Sequence, residues 1–182
     1  MKESGRNWMK KWDYKIIPRP AIKPGGVILF MRKNFFYLIL PNIRSCHNVG
    51  AMFRTADAFG IDKIFLVGYT PAPPKPQIDK VSLGAEKWMP FEVKKDLKTL
   101  IKKLKKDKFE IVALEKTADS IDIKDFKTSG DFALVVGNEV EGVTEDILKL
   151  CDKVVHIPML GKKESLNVSI AGGIAMYVLH KK

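Results

Sequence analysis

Nothing in the 182 residues stays apolar long enough to cross a bilayer: no run approaches the ~20 residues a spanning helix needs. The first stretch, Met1 to Lys11, lacks the apolar segment of a secretory leader, so a cytoplasmic location with no membrane partner is expected. Cysteine is scarce. Cys46 and Cys151 lie far apart with no second cysteine beside either, which excludes a paired-cysteine zinc site and leaves free thiols in a reducing compartment. The glycine motifs of common cofactors are absent too. No G-x-G-x-x-G occurs, and Gly161-Lys162-Lys163 runs into Glu164 with no glycine five positions before Gly161, so neither a dinucleotide fingerprint nor a P-loop forms. His47, His156 and His180 have no metal-like spacing; no metal is expected, and only His47 falls near the residues singled out below.

Acidic residues are the minority, and the net charge of +11 is unevenly placed. Residues 1–34 carry nine Lys/Arg against two acids, and residues 94–108 carry eight lysines against two. These two stretches together exceed the whole excess, leaving the remainder slightly acidic. Positive charge so concentrated suits a polyanion, because each neutralised phosphate releases counterions. The competing reading is a solvated lysine-rich face.

Length and a hydrophobic content of 46% fit one core preceded by a tail. Residues 1–34 mix Trp8, Trp12 and Tyr14 with basic residues and prolines and read as a basic N-terminal arm; residues 35–182 read as the domain. From Phe35, short apolar runs alternate with helical patterns, the signature of an α/β fold built on a mostly parallel sheet with helices on both faces. Six strands are expected at 35–40, 63–67, 89–93, 110–114, 132–136 and 153–157. Helices are expected at about 49–59, 96–106, 144–151 and 167–180. In the second of these, Leu97, Leu100, Ile101 and Leu104 recur at helical spacing and put the lysines on the other side. Thr70–Gln77, with four prolines, reads as a loop.

Three polar clusters interrupt this pattern at strand ends, where ligands of open α/β sheets sit. The first, residues 42–60, holds Asn42, Arg44, Ser45, Asn48 and Arg54, with Gly50 allowing close approach of backbone or ligand. Arginine offers a rigid fork of donors for phosphate. In the second, V-V-G-N-E-V-E-G-V at 135–143, Gly137 ends a strand and frees backbone groups to face a ligand, beside Glu139 and Glu141. The third runs from Ile157 through Pro158, Leu160 and Gly161 to Ser165 and Asn167, just before an apolar helix. Ser or Asn there is equally a helix cap. Gly172 and Gly173 within that helix suggest very close packing.

Together and in this order, N-V-G-A-M-F-R-T-A-D at 48–57, G-N-E-V-E-G at 137–142 and I-P-M-L-G-K-K-E-S-L-N-V-S at 157–169 resemble the three motifs of the SpoU (TrmH-like) branch of the SPOUT RNA methyltransferases. The likeness covers roughly residues 35–180. It implies a C-terminal trefoil knot, which rules of chain connection would never suggest. It further implies a homodimer with a site built from both subunits, S-adenosylmethionine as cofactor, and a tRNA or rRNA ribose 2′-hydroxyl as acceptor. By the same resemblance Asn48, Arg54, Glu139, Ser165 and Asn167 match the catalytic set, and Gly137, Ile157, Leu160, Leu166 and Asn167 the cofactor pocket. Methyl transfer to a hydroxyl is an in-line displacement that depends on positioning, and the hydroxyl must shed a proton. An arginine with a pKa above ~12 is a poor base, so Arg54 is read as a phosphate clamp and alkoxide stabiliser, with the phosphate or Glu139 taking the proton. The alternatives are a catalytically silent RNA-binding protein of the same fold, and methylation of a base rather than a ribose.

Overall fold

The computed structural model describes residues 34–128 and 130–180. The arm expected at 1–34 therefore lies, apart from Asn34, outside the described residues.

The chain runs β1 (Phe36–Pro41), α1 (Cys46–Ala58), β2 (Lys63–Val67), α2 (Pro76–Ser82), a 3₁₀ turn (Ala85–Lys87), β3 (Phe91–Lys94), α3 (Leu97–Lys106), β4 (Glu110–Leu114), β5 (Ile121–Asp122), β6 (Phe132–Val136), α4 (Glu145–Leu148), β7 (Lys153–His156) and α5 (Val168–Leu179). The strands form one sheet in the order β3-β2-β1-β6-β4-β7-β5, and every ladder is parallel. Parallel strands need crossovers, and the helices on the two faces supply them.

Alternation along each strand divides the core. Leu38 and Leu40 of β1, Ile64 and Leu66 of β2, Val112 of β4 and Leu134 of β6 point to one face, where α1, α2 and α5 cover them. Their neighbours Ile39, Phe65, Ile111 and Val135 point to the other, covered by α3 and α4. Helix α3 begins at Asp96, whose carboxylate accepts the Thr99 N–H at 2.7 Å, and it buries Leu100, Ile101 and Leu104 as its spacing requires.

The sheet has seven strands rather than the expected six. The extra one, β5, pairs with the β7 edge through only two residues, Ile121 with Val155 and Asp122 with His156, so it leaves no apolar run to read. The loop expected at Thr70–Gln77 ends early, because Pro76 opens α2 at a first-turn position that needs no N–H donor. The third expected helix, at 144–151, shortens to Glu145–Leu148 and closes in turns, with the Leu150 and Cys151 N–H groups bonding to Ile147 and Leu148 carbonyls. Among the described residues no helix is long and apolar enough to cross a membrane.

Candidate active site

The three polar clusters meet at the carboxyl edge of the sheet. Ser45 caps α1, its Oγ accepting the Asn48 N–H at 3.3 Å, and this fixes where Asn48 leaves the helix. Asn167 caps α5, its Oδ1 accepting the Ser169 N–H at 2.9 Å and the Ser169 hydroxyl at 2.7 Å. With Oδ1 so engaged, the amide nitrogen of Asn167 is free to donate to Asn48 Oδ1, at 3.2 Å. Asn48 passes the polarity on, its Nδ2 donating to Glu139 Oε1 at 2.9 Å. The cap and the site residue are thus the same side chain.

Glu139 also accepts the Arg44 N–H on Oε2 at 3.3 Å, joining the loop after β1 to the loop after β6. Desolvation resists its charge. The main-chain N–H groups of Glu139 itself, Arg44 and Ser45 and the Asn48 amide outweigh that resistance and hold the carboxyl below its ordinary value.

Beside this chain of amides lies a cavity of about 300 Å³. Gly137, Glu139, Ile157, Ser165, Leu166 and Asn167 line it, together with the apolar Leu114, Val168 and Ala171. Six of the residues expected at the site are therefore in its wall, and Asn48 bonds to two of them. Two are not brought in. The Leu160 side chain is 99% exposed and gives the cavity no apolar contact. Arg54 is exposed and outside the lining, six residues beyond Asn48 on α1, or about 9 Å of helix rise.

Glycines at the site serve the protein's own folding first. A Cβ on Gly137 would lie 2.7 Å from Gly142 Cα, because the Asn138–Gly142 loop closes on itself through paired 3.1 Å backbone bonds. Gly142 has φ +65°, and a Cβ there would collide with the Glu115 carboxylate. Gly50 makes room for α2 rather than for a ligand: a Cβ would sit 2.7 Å from the Ile78 carbonyl. Gly172 and Gly173, expected to permit very close packing, have ordinary space, with the nearest contacts at 3.7 and 3.6 Å.

Two residues in the wall carried no sequence signal. Glu115 Oε2 accepts the Val143 N–H at 2.8 Å and Oε1 the Lys116 N–H at 2.9 Å, so one carboxylate pins the far end of the Gly137–Gly142 loop. A lone glutamate 28 residues upstream gives no hint of this. His156 lines the cavity as well, its Nδ1 3.0 Å from Ser120 Oγ, which corrects the expectation that only His47 lies nearby. The thiols are free, and burial pushes Cys151 up to about 11, a value that keeps it protonated and unreactive.

Similarity to known proteins follows the same residues. The model of the SpoU rRNA methylase family matches residues 36–177. A tRNA (guanosine(18)-2′-O)-methyltransferase of Aquifex aeolicus is 32% identical over 151 residues, covering 82% of this chain and 71% of the relative. A 23S rRNA (guanosine-2′-O-)-methyltransferase of Coxiella burnetii is 35% identical over 150 residues, covering 80% of this chain but 58% of that one. Among solved structures, the AdoMet-bound rRNA methyltransferase of Sinorhizobium meliloti superposes with a TM-score of 0.76 at 28% identity, over 81% of this chain and 56% of that chain. With the family model spanning all three polar clusters and most of the sheet, the chain belongs to the SpoU rRNA methylase family.

Proposed function

We propose that this protein transfers a methyl group from S-adenosylmethionine to a ribose 2′-hydroxyl of transfer or ribosomal RNA. The observation that carries the reading is the directed Asn167–Asn48–Glu139 chain, both ends of which line the cavity. The cavity suits the cofactor: its volume is at the small end of the roughly 300–1,000 Å³ usual for such ligands, and its wall combines apolar side chains with convergent polar and charged groups. Gly137, Ile157, Leu166 and Asn167 would hold S-adenosylmethionine, which supplies an electrophilic methyl group on a sulfonium.

The remaining work belongs to the chain's own side chains. Asn48 and Asn167 present fixed amides for orienting a ribose, since each is already held at both ends. Glu139 is a weak proton acceptor, because its oxygens are engaged by donors and its pKa is lowered. The 2′-hydroxyl proton passes to Glu139 or to the neighbouring RNA phosphate, and Arg54 clamps that phosphate and stabilises charge on the attacking oxygen.

Arg54 does not reach the cavity within one chain, so the reading requires a homodimer in which Arg54 of the partner subunit completes the site. An apolar stripe on α5 supports this: Ile170, Ile174 and Tyr177, at helical spacing, are 55%, 36% and 53% exposed. We also propose the trefoil knot, with residues 157–167 threading back from β7, outside β4, to α5; the packing of α5 with α1 in one core cluster supports it. A cytoplasmic enzyme with residues 1–34 as an RNA-contacting arm completes the proposal. Mapping of 2′-O-methylation in RNA from cells with and without the gene tests it, transfer RNA first. One site should lose its methyl group, and identical maps would refute the reading.

A further inference from the structure

The cavity adjoins a series of hollows that the methyl-transfer reading does not use. Asn138 lines the cavity on one side and a second hollow of about 380 Å³ on the other, so the two share the Asn138–Gly142 loop as their wall. Lys95, Asp96 and Lys98 close the far side of the second hollow. Lys95 and Asp96 belong in turn to a third, lined also by Lys94, Thr99 and Lys103. A row of adjoining hollows therefore runs from the candidate site, across the carboxyl edge of the sheet, to the start of α3 and down its side.

The lysines along this path fall into two groups. On one side Lys98 pairs with Asp146 and Lys105 with Asp152, each at 2.7 Å, and Lys94 pairs with Glu92 at 2.7 Å. The first two tie α3 to α4 and to the residue before β7, and the third lies within β3. Lys95, Lys103 and Lys106 are exposed and form no ion pair with a described residue. Lys95 and Lys103 sit in the hollows, and Lys106 lies one turn further along α3. Lys102 and Lys108 are likewise exposed and unpaired with a described residue but line neither hollow, whereas Lys95 and Lys103 bring uncompensated charge into them.

We propose that this path is a track for the RNA strand flanking the methylated nucleotide, with Lys95, Lys103 and Lys106 contacting its phosphates. The inference rests on the RNA reading above and adds where the strand leaves the site. The strand passes over the Asn138–Gly142 loop, and the charge complementarity begins where the second hollow ends.

The test compares full-length wild type with Lys95→Gln/Lys103→Gln/Lys106→Gln and with a control of equal charge loss, Lys80→Gln/Lys127→Gln/Lys153→Gln, at exposed positions off the path. Unmodified RNA is titrated across a salt series, and S-adenosylmethionine affinity reports folding. The track variant should bind RNA about tenfold or more weakly near 100 mM salt, and its slope of log K against log salt should shrink by about 2, near 0.7 per lost single-strand contact. Lys103→Gln alone should remove about 0.7 of that slope. The maximal methyl-transfer rate at saturating RNA should stay within twofold of wild type while KM for RNA rises. An unchanged slope, or an equal loss in the control, would overturn the track while leaving the methyltransferase intact. Aggregation of the variant with unchanged RNA affinity would overturn it as well, and assign these lysines to guarding the open edge of β3. A wild type that neither binds nor methylates RNA would overturn both readings.

Discussion

Asn167 shows how much one side chain can be asked to do. Its oxygen closes the first turn of α5 and its nitrogen starts the polar chain through Asn48 to Glu139, so the amide cannot flip without breaking both ends. A Ser or Asn before a helix is legible as a cap from sequence, and equally as a site residue; only the contact with Asn48, 119 residues away, shows that both readings hold. Glu115 was not legible at all, because its meaning lies in the Val143 N–H it accepts across the fold. Glu139 gives a pH signature. Its folded pKa is depressed, so its contribution is fully present above the ordinary glutamate value of ~4.3 and is lost as pH falls through the lower folded value. Glu139→Gln should therefore melt below wild type at pH 7, and the gap should narrow at the lowest pH, under 4, where the chain still unfolds cooperatively. A gap that stays constant would mean the charge is not what matters. Arg54→Ala should abolish turnover, while calorimetric titration finds S-adenosylmethionine affinity within about twofold of wild type. Wild-type turnover in that variant would remove Arg54 from the mechanism.

Among the elements, those with a clear period were readable and those without were not. Strands β2, β4 and β6 fall at the expected residues because each is a bounded apolar run, buried on both faces. Helix α2 hid behind the prolines that open it, and β5 is two residues of ladder with no pattern to show. The glycines of α1 and α5 separate in the same way: identical in the text, they differ in what surrounds them. Gly50→Ala should destabilise the domain by about 1–3 kcal/mol, since the methyl group meets the Ile78 carbonyl and Val81 of α2. Gly172→Ala should stabilise it by up to about 1 kcal/mol, since Met52 is 3.7 Å away and a helix-interior glycine is entropically costly. Urea denaturation of the two variants gives both signs, and a stabilised Gly50→Ala would refute the account of the α1–α2 contact.

For the whole molecule, an α/β sheet covered on both faces was visible in the alternation of apolar runs and helical stretches. The placement of β6 between β1 and β4 was not, because strand order is a property of contacts across nearly 100 residues. That placement brings the Asn138–Gly142 loop beside the loop after β1 and so creates the site. At this scale Arg54 and the apolar stripe of α5 pose one question. Ile174→Asp should convert a dimer to a monomer by light scattering and remove methyl transfer, with S-adenosylmethionine still bound. An active monomer would contradict the shared site.

The most direct measurement is methyl transfer itself: the purified chain, S-adenosylmethionine carrying a labelled methyl group, unmodified transfer and ribosomal RNA, and mass spectrometry of the digested nucleosides. The label should appear in a 2′-O-methylribose, and Asn48→Ala should lose it. Label on a base, or RNA bound but left unlabelled, would contradict the account.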